Sequence, residues 1–179
     1  MSGELTVAGK MAASRCEVIA PNGGTYDFGK LTTDQSTAGV VPAPMTQTWQ
    51  VRCDGATYLA VEPEDNRAGT ASRADAAHFG LGGDAARPLG YYRLTLSKAQ
   101  IDRAPAVAYT AGQALSQAGG MSLMSGVRTQ WQMPDNTARA GRQFAVDITV
   151  APWLTQQSAS LSDVVKLDGS VTMNFIFGL

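Results

Sequence analysis

The stretch Val171-Thr172-Met173-Asn174-Phe175-Ile176-Phe177-Gly178-Leu179 decides the fold class. Val171, Met173, Phe175, Phe177 and Leu179 fall on one side of an extended chain, with Thr172, Asn174 and Ile176 on the other. A period of two is a strand signature, because successive side chains of a pleated strand point to opposite faces. The same period runs through Phe144, Val146, Ile148 and Val150, through Thr48-Trp49-Gln50-Val51-Arg52-Cys53, and through Leu5-Thr6-Val7-Ala8. Further strands are expected over 57–62, 89–97 and 122–132. Turn signals separate them: Pro21-Asn22-Gly23-Gly24, Pro42-Ala43-Pro44, Asp54-Gly55, Gly82-Gly83-Asp84, Pro134-Asp135-Asn136 and Asp168-Gly169. Helical periodicity is weak. A short helical turn is expected over 97–103, with Ser97 as its N-cap, and a second helical piece over 113–118. Many short strands with Gly/Pro turns and no βα alternation predict an antiparallel all-β sandwich or barrel.

With 179 residues, the chain has the length of one domain. It carries 14 Lys plus Arg, 15 Asp plus Glu and one His, a formal charge of −1. Nucleic-acid binders usually present a basic patch or stripe, so no nucleic acid is expected as a partner. No run approaches 18 apolar residues, the length a membrane-spanning helix requires. The opening Met1-Ser2-Gly3-Glu4-Leu5 has neither the basic nor the apolar region of a signal peptide. The preferred reading is an exported chain whose signal peptide has been removed; a cytosolic protein is the alternative.

Cysteines stand at 16 and 53 and the single histidine at 78. A tetrahedral zinc site uses three or four Cys/His ligands, usually with one close pair, and this set does not supply them. A Cys16–Cys53 disulfide fits better and implies an oxidising compartment. Two buried free thiols are the alternative.

Catalytic candidates are sparse. Asp65-Asn66-Arg67 is the most polar local cluster, but a catalytic reading needs a nucleophile and a base within reach. A strand-end turn, with Asp and Asn bonding nearby backbone, is the simpler expectation. His78 has no evident partner and is expected at the surface or on an edge. Gly80, Gly82 and Gly83 lack the Lys-Ser/Thr pair of a phosphate loop. No enzymatic activity, cofactor or metal is expected. Trp49, Trp131, Trp153, Tyr91 and Tyr92 offer a second class of function, a carbohydrate-binding, lectin-like sandwich, although aromatics in sandwiches mostly fill the core. Tyr91 and Tyr92 should point to opposite faces, leaving one of them exposed.

The order of several motifs resembles a known family. Leu5-Thr6-Val7 with Gly9, then Cys16, then Gly23-Gly24-Thr25-Tyr26-Asp27-Phe28-Gly29 and a strand ending at Cys53, is similar to a pilin-type subunit of chaperone–usher fimbriae. Asp65-Asn66-Arg67, Phe79-Gly80-Leu81-Gly82, Leu89-Gly90-Tyr91-Tyr92 and Leu167-Asp168-Gly169-Ser170 narrow the resemblance to a β-fimbrial major-subunit-like subgroup. It extends over essentially the whole chain. The family's aromatic at the penultimate position has its counterpart one place earlier here, in Phe177, with Gly178 penultimate.

The resemblance implies an incomplete immunoglobulin-like antiparallel β-sandwich, completed by a donor strand. Residues 1–15 would form the N-terminal extension and donor-strand candidate, overlapping the first strand, and 16–179 the pilin-like domain. Leu5, Val7 and Met11 would be the inserted side chains and Gly9 a close-approach position. Val171, Met173, Phe175 and Phe177 would line the groove on the strand that a chaperone pairs with. Cys16 and Cys53 would tie the first strand to the second. The implied partners are neighbouring fimbrial subunits, a periplasmic chaperone and an outer-membrane usher, with a host glycan or protein receptor left open. The implied route is export through the periplasm to the bacterial surface.

Overall fold

A computed structural model describes residues 2–10, 15–30, 42–84, 87–116, 120–155 and 166–178. The fold is all-β. The first strands are β1 (Ser2–Lys10), β2 (Cys16–Ile19), β3 (Thr25–Lys30) and the long β4 (Met45–Asp65), with a 3-10 turn at Pro21–Gly24. Three short strands, β5 (Phe79–Gly80), β6 (Gly83–Asp84) and β7 (Arg87–Pro88), lead into β8 (Gly90–Ile101). The remaining strands are β9 (Ala104–Pro105), β10 (Val107–Thr110), β11 (Met121–Ser122), β12 (Thr129–Gln132), β13 (Gly141–Leu154) and β14 (Lys166–Gly178).

At 21 residues, β4 is long enough to serve two layers. Its first half pairs with β13 and β2, and β13 continues the ladder to β8. Its second half pairs with β14 and with β12. Beyond β14 the order runs to β1 and then β3. Trp49 and Val51 from the first half join Leu59 and Val61 from the second in a shared core with Leu94, Leu96, Phe144, Ile148, Val171 and Phe175. The arrangement is sandwich-like, as the alternation of apolar positions predicts.

Four expectations are corrected. The sheet is mixed, not purely antiparallel, since β1 runs parallel to β14. The helical turn expected over 97–103 is the end of β8 followed by a hairpin. Leu94, Leu96, Ala99 and Ile101 are buried there, and cross-strand packing overrides the local helix preference. Lys98 takes a positive φ of 52° where the β8–β13 register shifts, the mark of a bulge. Over 113–118, residues 113–116 are irregular, and 117–118 lie outside the described residues. The dipeptides Asp54-Gly55 and Asp168-Gly169, read as turns, lie inside β4 and β14.

Cys16 and Cys53 are direct cross-strand partners on β2 and β4 and form a disulfide, with Cα atoms 4.0 Å apart. The bond closes a loop whose ends are 37 positions apart. In the chain-entropy account such a loop contributes about 4 kcal/mol. Replacing both cysteines by serine should therefore lower stability by about 2–4 kcal/mol, read from urea unfolding under non-reducing conditions.

The β8–β9 hairpin turns on Asp102 and Arg103, both at positive φ, 48° and 68°. A two-residue loop of this hand matches the twist of the flanking strands. Backbone N–H groups of Gln143 and Arg142 donate to Asp102 Oδ1 at 2.9 Å each and hold its carboxyl below the ordinary carboxylate range. A carboxyl lowered in the folded state stabilises fully above its unfolded value, about 4. That contribution drains away as pH falls through the lower native value. Asp102→Asn should flatten this acid limb while costing no more than about 1 kcal/mol at neutral pH, because the site is exposed; urea midpoints measured from pH 2 to 7 check it.

Candidate strand-docking site

β1 lies between two strands, parallel to β14 on one side and antiparallel to β3 on the other. Its sequence alternates as its position requires. Gly3, Leu5 and Val7 are buried, with Leu5 2% and Val7 1% exposed, whereas Glu4 and Thr6 face out. Burying a Leu or Val side chain fully contributes about 1.5–3 kcal/mol, so Leu5 and Val7 anchor the strand. Among the described residues β3 pairs with β1 alone. The second layer thus reaches β3 only through β1.

On β14 the inward set is Val171, Met173 and Phe175, all buried; Phe177 is partly buried and packs against the core. Large and small residues alternate across the β1–β14 seam. The register sets Leu5 beside Gly169, Val7 beside Val171 and Gly9 beside Met173. A Cβ at Gly169 would run into the Leu5 Cδ1 atom and approach the Tyr92 ring. Gly169 is therefore a seat for Leu5, which is why an Asp-Gly pair stands here in mid-strand. Gly24, at φ 82°, approaches β1 from the 3-10 turn, and a Cβ there would strike the Val7 carbonyl.

Behind β1 a buried hydrogen-bond chain joins the layers. Trp49 Nε1 donates to the Tyr26 hydroxyl at 3.2 Å, and Tyr26 donates onward to the Ile148 carbonyl at 2.9 Å. Tyr26 is the β3 partner of Leu5. Burial raises the Tyr26 pKa well above its ordinary value, so its hydroxyl stays neutral and available as a donor. The Trp49 ring lies 6.3 Å from Phe175. Near Leu5 and Gly169 sits Tyr92, fully buried, whose hydroxyl has no hydrogen-bond partner among the described residues.

The structure thus brings Leu5, Val7, Val171, Met173 and Phe175 to one seam and sets Gly9 beside Met173. Met11 lies outside the described residues. Gly24, Gly169, Tyr26 and Trp49 complete the seat. The first three were visible only as motif members or turn residues, and Trp49 as a strand residue open to either a core or a sugar-binding role. Asp65-Asn66-Arg67 ends β4 in a turn. Asp65 Oδ1 accepts the Arg67 N–H and Oδ2 the Gly80 N–H, each at 2.9 Å. Asn66 Nδ2 donates to Ser170 and Thr172 hydroxyls on β14, at 3.1 and 2.9 Å. This cluster fastens β14 to β4 and β5.

Trp49 and Trp131 are buried, whereas Trp153 is 50% exposed. Tyr91 and Tyr92 do point to opposite faces, yet both are buried, because the ring of His78 covers Tyr91. Among the described residues no three His, Cys, Asp or Glu side chains group closely enough to hold a metal ion. Among the described residues no helix is long and apolar enough to cross a membrane. No family model matches the chain, and neither does any curated protein.

Leu5→Ala should destabilise the fold by about 2–5 kcal/mol. Thr6→Ala, one position along but outward-facing, should stay within about 0.5 kcal/mol. Chemical unfolding of the two variants beside the parent chain tests the assignment of β1 as an anchored strand.

Proposed function

We infer that the protein is a structural subunit of a bacterial surface fimbria, built through the chaperone–usher pathway by donor-strand exchange and contributing to adhesion or biofilm formation. The observation that carries this reading is the place of β1. It contributes the buried Leu5 and Val7 side chains and main-chain ladders to both of its neighbours. A segment with those contacts is separable in principle from the rest of the sandwich. Supplied by a neighbouring subunit, or replaced by a chaperone strand, it would satisfy the same ladders and pockets. This is strand addition: backbone hydrogen bonds give affinity, and alternate side-chain pockets give register.

In this reading the domain without β1 is an immunoglobulin-like sandwich short of a strand, and Val171, Met173, Phe175 and Phe177 present the open edge. An unpaired edge flanked by apolar core is an aggregation hazard, so the subunit needs a periplasmic chaperone until the usher hands it to the fibre. The motif order of the sequence supports the family, and the Cys16–Cys53 disulfide fits an oxidising compartment. The role asks for no catalysis and no cofactor.

Mixing the full chain with an excess of fluorescent peptide of residues 1–12 tests this reading. Slow incorporation is expected, together with concentration-dependent assemblies on size exclusion. The same peptide carrying Val7→Asp should not incorporate, because a buried unpaired carboxylate costs several kcal/mol. A chain that stays monomeric at every concentration and takes up neither peptide would remove donor-strand exchange from consideration.

A further inference from the structure

A second site lies on the outward side of β8 and β13, whose inward residues Tyr92 and Ile148 belong to the strand-docking seat. Three rings stand in a row. His78 stacks on Tyr91, with centroids 3.8 Å apart and planes 10° from parallel. Tyr91 in turn lies 6.4 Å from Trp153 at 3°, its direct cross-strand partner. Trp153 is one of few large apolar side chains left exposed among the described residues. It lines an open cleft of about 620 Å³ with Tyr91, Arg73, Arg93, Ser72 and Thr155. Ligand pockets commonly span about 300–1,000 Å³.

The cations of this cleft are placed. Arg93 Nη2 lies 3.1 Å from His78 Nε2, and His78 Nδ1 lies 3.0 Å from the Arg73 carbonyl. A guanidinium only donates and a carbonyl only accepts, so these partners assign the His78 proton to Nδ1. The imidazole thereby bridges the Arg93 side chain and the Arg73 backbone. The Arg73 side chain is exposed and makes no hydrogen bond or ion pair among the described residues. Asp75 sits within electrostatic reach of both arginines but is engaged by the Ala77 N–H at 2.8 Å. One net positive charge remains.

We propose that this cleft binds a saccharide carrying a carboxylate. The Trp153 face would take the apolar C–H face of a sugar ring, as exposed indoles do when one side is apolar and the other wet. The Arg73 and Arg93 forks would take the carboxylate, whose geometry matches a guanidinium pair of donors. Ser72 supplies a hydroxyl group at the rim. Two arginines without a longer basic stripe do not match a polyphosphate backbone.

The full chain is titrated calorimetrically with tetragalacturonate, a hyaluronan tetrasaccharide and sialyllactose, and with the methyl ester of each. At least one free acid is expected to bind, at least tenfold more tightly than its ester. Arg73→Gln should weaken that binding about tenfold or more, since hydrogen bonds to charged groups contribute about that much. Trp153→Ala should weaken it similarly. Both side chains are exposed, so both variants should keep the parent Tm, which separates loss of the site from loss of the fold. The proposal is overturned if none of the three acids binds, if an ester binds as tightly as its acid, or if Trp153→Ala binds unchanged. Binding of a sulfated heparin tetrasaccharide alone would also overturn it. None of these outcomes depends on strand exchange, because the full chain already carries its own β1.

Discussion

The position of β1 between β14 and β3 is the constraint on which the second layer rests. A strand at the margin of a sheet leaves one neighbour unpaired when it is lost. β1 serves two, and β3 reaches the sheet through it alone among the described residues. The backbone groups of β14 would then face the gap with no partner, next to Val171, Met173 and Phe175. Both costs, unmade ladders and exposed apolar surface, have the same remedy, an alternating segment of about nine residues.

Fit at this seam is a matter of volumes. Leu5 has room because Gly169 has no side chain, and the turn at Gly24 closes over Val7 because it has none either. The Trp49–Tyr26–Ile148 hydrogen bonds then lock β3 to the opposite layer. A strand of another composition would meet the same ladders but not the same pockets. Affinity without register is what a generic edge offers; this seam specifies register.

How far the fold was legible depended on whether neighbouring residues told the truth about distant ones. Alternation exposed β13, β14 and β1, because a half-buried strand writes its burial pattern into the chain at period two. It failed at 97–103, where a bulge at Lys98 breaks the period and a short polar run imitates a helix start. Asp168-Gly169 has turn composition, yet the glycine serves a leucine far away in sequence. For the candidate site, Leu5, Val7 and the β14 residues were legible; Gly24, Gly169 and Tyr26 as parts of the seat were not. The ring row of His78, Tyr91 and Trp153 was equally hidden. It depends on register across β8 and β13 and on a loop folding back over Tyr91, which no local pattern encodes.

By itself, then, the amino-acid order determined an all-β chain, a cysteine pair able to bond, and two alternating segments near its ends. Those are properties of composition and period, set residue by residue. Only the tertiary structure decided that the two segments lie side by side, that they run parallel, and that both sit inside the sheet. Pairing partner and direction depend on which pockets lie opposite which side chains, and those pockets exist only once residues far apart in sequence have packed together.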